Sequence, residues 1–164
     1  MFLLEFGLIH DGCIVNQLSR FIPRVRIVAV GGFVLSNGGA DEIIALDFPV
    51  ESEVESALEF LRKSQMIDSV SVIESSDHRV FIHLISNSAP EVGYCSETVN
   101  RNLCHKVGLE IQHEGVEQWK VMSTEVSYFE TLIEDLKKMG DLKYHKVSRE
   151  VSWEDLIAGR GENS

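Results

Sequence analysis

Two periodicities alternate along the chain, one typical of strands and one typical of helices. Phe2, Leu4, Phe6 and Leu8 recur at every second position, which predicts a strand with one buried face. From Cys13 onward the apolar residues recur at helical spacing instead. The same two patterns predict further strands at 25–34, 42–48, 69–74, 80–85, 109–113, 117–123 and 142–147, and helices at 13–21, from 52, at 95–107 and from 127.

The order strand, helix, strand, strand, helix, strand therefore occurs twice. Ser52-x-x-Glu55 and Ser127-x-x-Glu130 match the pattern of a capping box, in which two side chains satisfy free amides at a helix start. A chance coincidence of two common α+β patterns is the alternative. We predict an α+β fold made of two tandem ferredoxin-like (βαββαβ), ACT-like units packed together, at residues 1–76 and 77–150.

Each ferredoxin-like unit leaves one sheet face without helices. Alternation places Leu3 and Ile9 on that face in the first half, and Phe81 and Ile85 in the second. Exposed apolar surface of this kind marks an interface. We expect the open faces or edges of the halves to pair, or the chain to form a homodimer. Residues 151–164 are predicted to be a linker or a cut end.

Composition restricts the classes of partner. The formal net charge of the 164 residues is -11, with 26 acidic against 15 basic residues. Such a surface repels phosphate backbones, so no direct contact with nucleic acid is expected. The cysteine count of 3 is odd and lacks a disulfide framework, which favours a cytoplasmic location. No stretch reaches the ~18 apolar residues of a membrane span, so no membrane partner is expected.

Several segments resemble archaeal transcription regulators of the bacterio-opsin activator type. They are the segment from His10 to Phe21 with Pro23, the strand Val25–Val28, the region Gly115–Val121 and the helix Tyr128–Met139. The resemblance implies an N-terminal sensory or assembly region that is followed by a C-terminal helix-turn-helix. That reader domain is missing from this sequence, so the chain is expected to be a fragment or a protein without one.

His10 and Cys13 have the spacing of metal ligands on a loop between a strand and a helix. Imidazole and thiolate together suit zinc, copper or iron. A tetrahedral site needs about four ligands. Cys95, Cys104 and His105 supply the rest only if the two halves meet loop to loop. The alternative is that the cysteines are buried structural thiols.

Two other kinds of site use the same loops. Cys13 and Cys95 each stand at a predicted helix start, where helix amides lower a thiol pKa, and this predicts a redox sensor. A small effector is the other candidate, with Asp11, Gly12, Cys13 and Cys95 as the ligand-binding residues. Gly12 would let a ligand carboxylate approach the helix amides, as in paired regulatory ferredoxin-like modules. The alternative is that Gly12 only forms the turn.

Catalytic patterns are weak in this sequence. His83, His113 and His145 lie in predicted strands without a nucleophile at a spacing that implies a triad. Together with the internal repeat and the acidic charge, this predicts a non-enzymatic sensory or dimerisation domain that responds to a small effector, a metal or redox state. The resemblance implies that it belongs to an archaeal-type transcription regulator. The alternatives are a small ferredoxin-like enzyme that uses His10 as an acid or base, and a scaffold without a ligand.

Overall fold

The computed structural model describes residues 1–149, 151, 152 and 154, and its helices and strands follow the predicted order except for one additional short strand at His105–Lys106. The predicted linker at 151–164 therefore lies almost wholly outside the described residues. The strands are β1 (Phe2–His10), β2 (Arg26–Val34), β3 (Ala40–Asp47), β4 (Ile67–Ser76), β5 (Arg79–Ser86), β6 (His105–Lys106), β7 (Glu110–His113), β8 (Val116–Ser123) and β9 (Gly140–Arg149). The helices are α1 (Ile14–Phe21), α2 (Glu53–Lys63), α3 (Cys95–Arg101) and α4 (Val126–Met139). The α+β class is confirmed.

The strands form one sheet in the order β4-β5-β3-β2-β7-β8-β1-β9, with the short β6 paired to β8. Neighbouring strands are antiparallel throughout. The order is symmetric. From one end it reads β4-β5-β3-β2, and from the other it reads β9-β1-β8-β7, with each strand matched by its counterpart in the other half of the chain. However, β1 lies between β8 and β9, and β5 lies between β3 and β4. Each half of the chain thus places its first strand among the strands of the other half.

The two halves of the sheet meet at its middle, where β2 pairs with β7 and Ile27 lies opposite Gln112. The edges of the two halves therefore pair, which is one of the expected arrangements. The boundary between 1–76 and 77–150 falls in the turn that joins β4 to β5, and these two strands pair with each other. The division into those two domains stays a prediction.

All four described helices pack on one face of the sheet, over two hydrophobic cores. The first core joins α1 and α2 to alternate residues of β2, β3 and β5, and the second joins α3 and α4 to β1 and β8. Leu4, Phe6 and Leu8 are fully buried in the second core. Burying each such side chain contributes about 1.5–3 kcal/mol to the free energy of folding. On the opposite face Phe81 is 40% exposed, as its predicted position on an open face requires.

Three local predictions at helix ends are wrong. Ser52 precedes α2 with helical backbone angles and makes no capping hydrogen bond, and Ser127 lies inside α4 rather than before it. The helix predicted at 95–107 ends at Arg101, because Leu103 adopts a φ of 57°. The Asn102 amide also donates to Asp135 in α4 at 3.0 Å and fixes the end of α3 against that helix. The chain then turns into β6.

Gly140 holds the end of β1 close to the start of β9. Its φ is 158°, and a Cβ at this position would overlap the carbonyl oxygen of Ile9. The Asp11 amide donates to the Met139 carbonyl at 2.9 Å just beyond this point. The strand end that carries His10 is therefore fixed in place by the junction of α4 and β9.

Candidate functional site

The loop between β1 and α1 brings His10 and Cys13 to the centre of the molecule. Gly12 has a φ of 74°, a conformation that glycine adopts without strain, and it allows the chain to reverse between the strand and the helix. Both side chains line a cavity of about 80 Å³ between the helices and the middle strands of the sheet. Both halves contribute to this cavity, with His10, Cys13 and Glu42 from the first and Cys95, Glu110 and Glu117 from the second.

His10 is paired with Glu117 inside the protein. The distance from His10 Nδ1 to Glu117 Oε2 is 3.1 Å, and both side chains are almost fully buried. His10 Nε2 lies 2.8 Å from the carbonyl oxygen of Gly93, to which it donates. Trp119 Nε1 donates to the other oxygen of Glu117 at 2.6 Å. The ring and the carboxylate are therefore fixed in orientation.

The pKa of His10 is raised to about 11. Burial alone would lower this pKa, but the hydrogen bonds of the ring with Cys13 and Glu117 and the negative charge of Glu117 outweigh it. In the metal-free chain the imidazole of His10 therefore carries a proton on both nitrogens at neutral pH. A protonated ring whose two nitrogens are engaged does not act as a general base.

The two pocket thiols behave in the opposite way to the redox-sensor prediction. Burial raises the pKa of Cys13, although its hydrogen bond with His10 acts in the other direction. Burial also raises the pKa of Cys95 well above its ordinary value, and the charge of Glu117 adds to this effect. The predicted lowering of the thiol pKa values is wrong, because removal from water outweighs any helix-start effect.

The rest of the pocket is rich in hydrogen-bond acceptors. Burial and the nearby charge of Glu117 raise the pKa of Glu110 to about 8 and also raise that of Glu42. Gln112 donates to Glu110 through Nε2 at 3.1 Å. Its Oε1 has no hydrogen-bond partner among the described residues, although the side chain is only 3% exposed. A buried acceptor of this kind favours a ligand that supplies a donor or a positive charge.

The structure separates the predicted site residues into two groups. Cys13 and Cys95 line the pocket. Asp11 is exposed, a Cβ at Gly12 would lie 3.6 Å from Pro90 Cβ, and neither residue lines the cavity. Their role in ligand binding stays a prediction. Cys104 is buried in the second core and His105 is exposed on β6, so the structure does not bring them to His10.

The structure adds a third residue, Glu117, which the sequence analysis did not identify. The ligand atoms of His10, Cys13 and Glu117 lie within 4.8 Å of one another. One signal for Glu117 is present in the sequence. It alternates with Trp119 and Val121 on the buried face of β8 and lies opposite Leu8 in the sheet. A carboxylate at a core position needs a charged partner or a ligand, because an unpaired buried charge is costly.

Comparison of the chain with protein-family models, curated proteins and solved structures found no match. The resemblance to regulators of the bacterio-opsin activator type therefore stays a prediction. In the part of the chain that the structure describes, every helix is too short or too polar to cross a bilayer.

Proposed function

We propose that the chain is a non-enzymatic sensory module of a transcription regulator, and that its effector binds in the central pocket. The observation that carries the proposal is the pocket itself. Both halves of the chain line it, and it contains the buried His10–Glu117 pair and the unsatisfied oxygen of Gln112. A ligand that fills this pocket changes contacts in both halves at once, which is what a sensor requires.

We interpret the two halves as ferredoxin-like, ACT-like units that have exchanged their first strands. With β5 taken in place of β1, the first half has the order β4-β5-β3-β2, and the second half has the order β9-β1-β8-β7. Paired regulatory modules of this class bind effectors where two units meet. The pocket occupies that position here, since it lies near the β2–β7 pair and takes residues from both halves.

The pocket has a direct mechanical connection to the C-terminal strand. His10 is the last residue of β1 and lies opposite Gly140, while Phe2 at the other end lies opposite Arg149. We expect a shift of the His10 loop to move β9 as well, because β1 pairs with β9 from His10 to Phe2. If a helix-turn-helix follows in the complete protein, it receives the signal through this strand.

A small enzyme is the second candidate, and one observation favours it. Glu110 carries its proton near neutral pH because its pKa is about 8, and such a carboxylic acid is suited to act as a general acid. His10, which the sequence suggested as the acid or base, is held by Glu117 and Gly93 instead. We favour sensing because the pocket shows no activated nucleophile among the described residues.

Amide hydrogen exchange tests the sensory proposal. We expect an effector from a panel of amines, amino acids and divalent metal ions to slow exchange at α1 and α3, which flank the pocket, and also at β9. Slower exchange at α1 and α3 without any change at β9 would mean binding without transmission. No effect of any panel member on the three segments would overturn the proposal.

We further propose that two copies pair through the open sheet face. This face carries exposed apolar side chains together with the ion pairs Lys120–Glu5 and Arg79–Asp47, so it presents charges of both signs although the whole chain is acidic. Phe81 is 40% exposed on β5, the second strand from one end of the sheet. A second copy would bury this apolar surface without bringing charges of one sign together.

Replacing Phe81 by glutamate is expected to convert the dimer to a monomer, because the substitution places a charge in the apolar part of the interface. Since the side chain is exposed in the monomer, thermal stability of the monomer should change little. Size-exclusion chromatography with light scattering measures the mass. Val50→Glu is the control, because Val50 is 41% exposed in the turn before α2 and lies away from the open face. A monomeric starting protein would contradict the prediction.

A further inference from the structure

We propose that His10, Cys13 and Glu117 bind a divalent transition-metal ion of the zinc class, and that this ion is the effector of the central pocket. The inference rests on the proposed sensory function and names its ligand. The three ligand atoms lie within 4.8 Å of one another, and His10 Nδ1 and Glu117 Oε2 are 3.1 Å apart. In a tetrahedral zinc site the ligand atoms are roughly 3–4 Å apart, so the cluster closes around an ion with small side-chain movements.

The outer hydrogen bonds hold the far atoms of His10 and Glu117, so the two atoms that now pair with each other, Nδ1 and Oε2, are the ones that a metal would take. His10 Nε2 donates to the Gly93 carbonyl, so the neutral ring would present the lone pair of Nδ1 to the ion. Trp119 holds Oε1 of Glu117, which leaves Oε2 to coordinate. Metal-binding histidines and carboxylates in proteins are usually oriented by outer hydrogen bonds of this kind. The structure thus supplies the outer contacts together with the three ligands.

The donor set selects the class of ion. One imidazole nitrogen, one thiol sulfur and one carboxylate oxygen suit zinc and its neighbours in the transition series. Magnesium and calcium prefer oxygen ligands alone. The ion displaces a proton from the Cys13 thiol and one from the His10 ring, and these protons are released to solvent. The metal does not change oxidation state in this exchange.

The cavity explains why an ion is preferred to an organic effector. Its volume of about 80 Å³ is small, whereas pockets for drug-sized ligands measure about 300–1,000 Å³. Three protein ligands leave a fourth position for water, as in zinc sites that are not purely structural. Gln112 Oε1 is an unpartnered acceptor in the same cavity, and a hydrated ion would bring a donor to it.

Titration of the whole chain with Zn²⁺ and with Co²⁺ tests the site. We expect one equivalent of Zn²⁺ to bind by calorimetry, and Co²⁺ to produce the charge-transfer absorption of a cobalt–thiolate bond. Cys13→Ser should abolish that absorption. Cys13→Ser and Glu117→Gln should each weaken Zn²⁺ binding by more than about tenfold, since loss of an outer contact alone costs about 10- to 100-fold. Cys104→Ser is the matched control, because this thiol is buried in the second core away from the pocket, and it should leave both signals unchanged.

The proposal is overturned if the chain binds no Zn²⁺, if Co²⁺ gives no thiolate absorption, or if Cys13→Ser binds as the unchanged chain does. Circular dichroism of each variant establishes that it is folded, and if Glu117→Gln is unfolded the conservative Cys13→Ser result decides alone. Hydrogen exchange separates this inference from the sensory proposal. Zinc binding without slower exchange at β9 supports the metal site and refutes sensing. Slower exchange at β9 with an amine, but no binding of zinc, supports sensing and refutes the metal site.

Discussion

Replacing Glu117 by alanine is expected to lower the free energy of unfolding by about 3–5 kcal/mol, because it breaks a buried ion pair and leaves the buried His10 ring without the partner that keeps it charged. His10 is 2% exposed, and its protonated state depends on Glu117 and Cys13. The substitution also removes the acceptor of the Trp119 indole and opens a small cavity beside Leu8. Urea unfolding followed by tryptophan fluorescence measures the change.

A double-mutant cycle with His10→Ala separates the pair from the packing around it. If the ion pair is the cause, the double variant will be less destabilised than the sum of the single variants by roughly 1–3 kcal/mol. Glu130→Ala, on the exposed side of α4, is the control and should stay within about 0.5 kcal/mol of the unchanged chain. A loss below about 1 kcal/mol for Glu117→Ala would show that the pair contributes little.

The order of helices and strands could be predicted from the sequence because its signals are local. Alternation at Leu4, Phe6 and Leu8 is sufficient to identify β1 and the face that it buries, and Pro23 correctly marks the end of α1. The exchange of β1 and β5 was not predictable in the same way. In both strands every second residue is buried. Each strand could therefore pack under α1 and α2 or under α3 and α4. Only the packing of the whole chain decides between them.

Helix ends were predicted less well, for reasons that lie outside the helices. The end of α3 depends on the contact of Asn102 with Asp135, which are distant in sequence. The capping boxes failed because a suitable residue spacing does not ensure the backbone angles that a cap requires. At Ser52 those angles are already helical.

The candidate site was half visible in the sequence. His10 and Cys13 are close in the chain, so their spacing alone indicates a shared loop. Glu117 belongs to β8 and meets them only because β1 pairs with that strand in the exchanged arrangement. The raised thiol pKa of Cys13 was also missed, since helix position is readable from sequence whereas depth of burial in a pocket is not.

Glu110→Gln is expected to change how stability depends on pH. The pKa of Glu110 is about 8 in the folded chain against an ordinary value of 4.5, so the folded state keeps a proton that the unfolded state has already released. This contribution to stability is complete below about pH 4.5 and is lost as the pH rises through about 8. Glutamine is neutral at every pH and can still accept the hydrogen bond from Gln112. The variant should therefore lack this loss.

The difference between the two proteins should grow from pH 4.5 to pH 8 and then stay constant, with the variant more stable by roughly 2–4 kcal/mol at the upper end. His10 adds its own loss of stability in both proteins as the pH rises from 6.5 toward 11, so the slope above pH 6.5 does not vanish in the variant. Glu91→Gln, at an exposed position, is the control and should follow the unchanged chain. Parallel curves for Glu110→Gln and the unchanged chain would show that Glu110 ionises in the folded state at its ordinary pKa, and that the pocket is wetter than the packing around it implies.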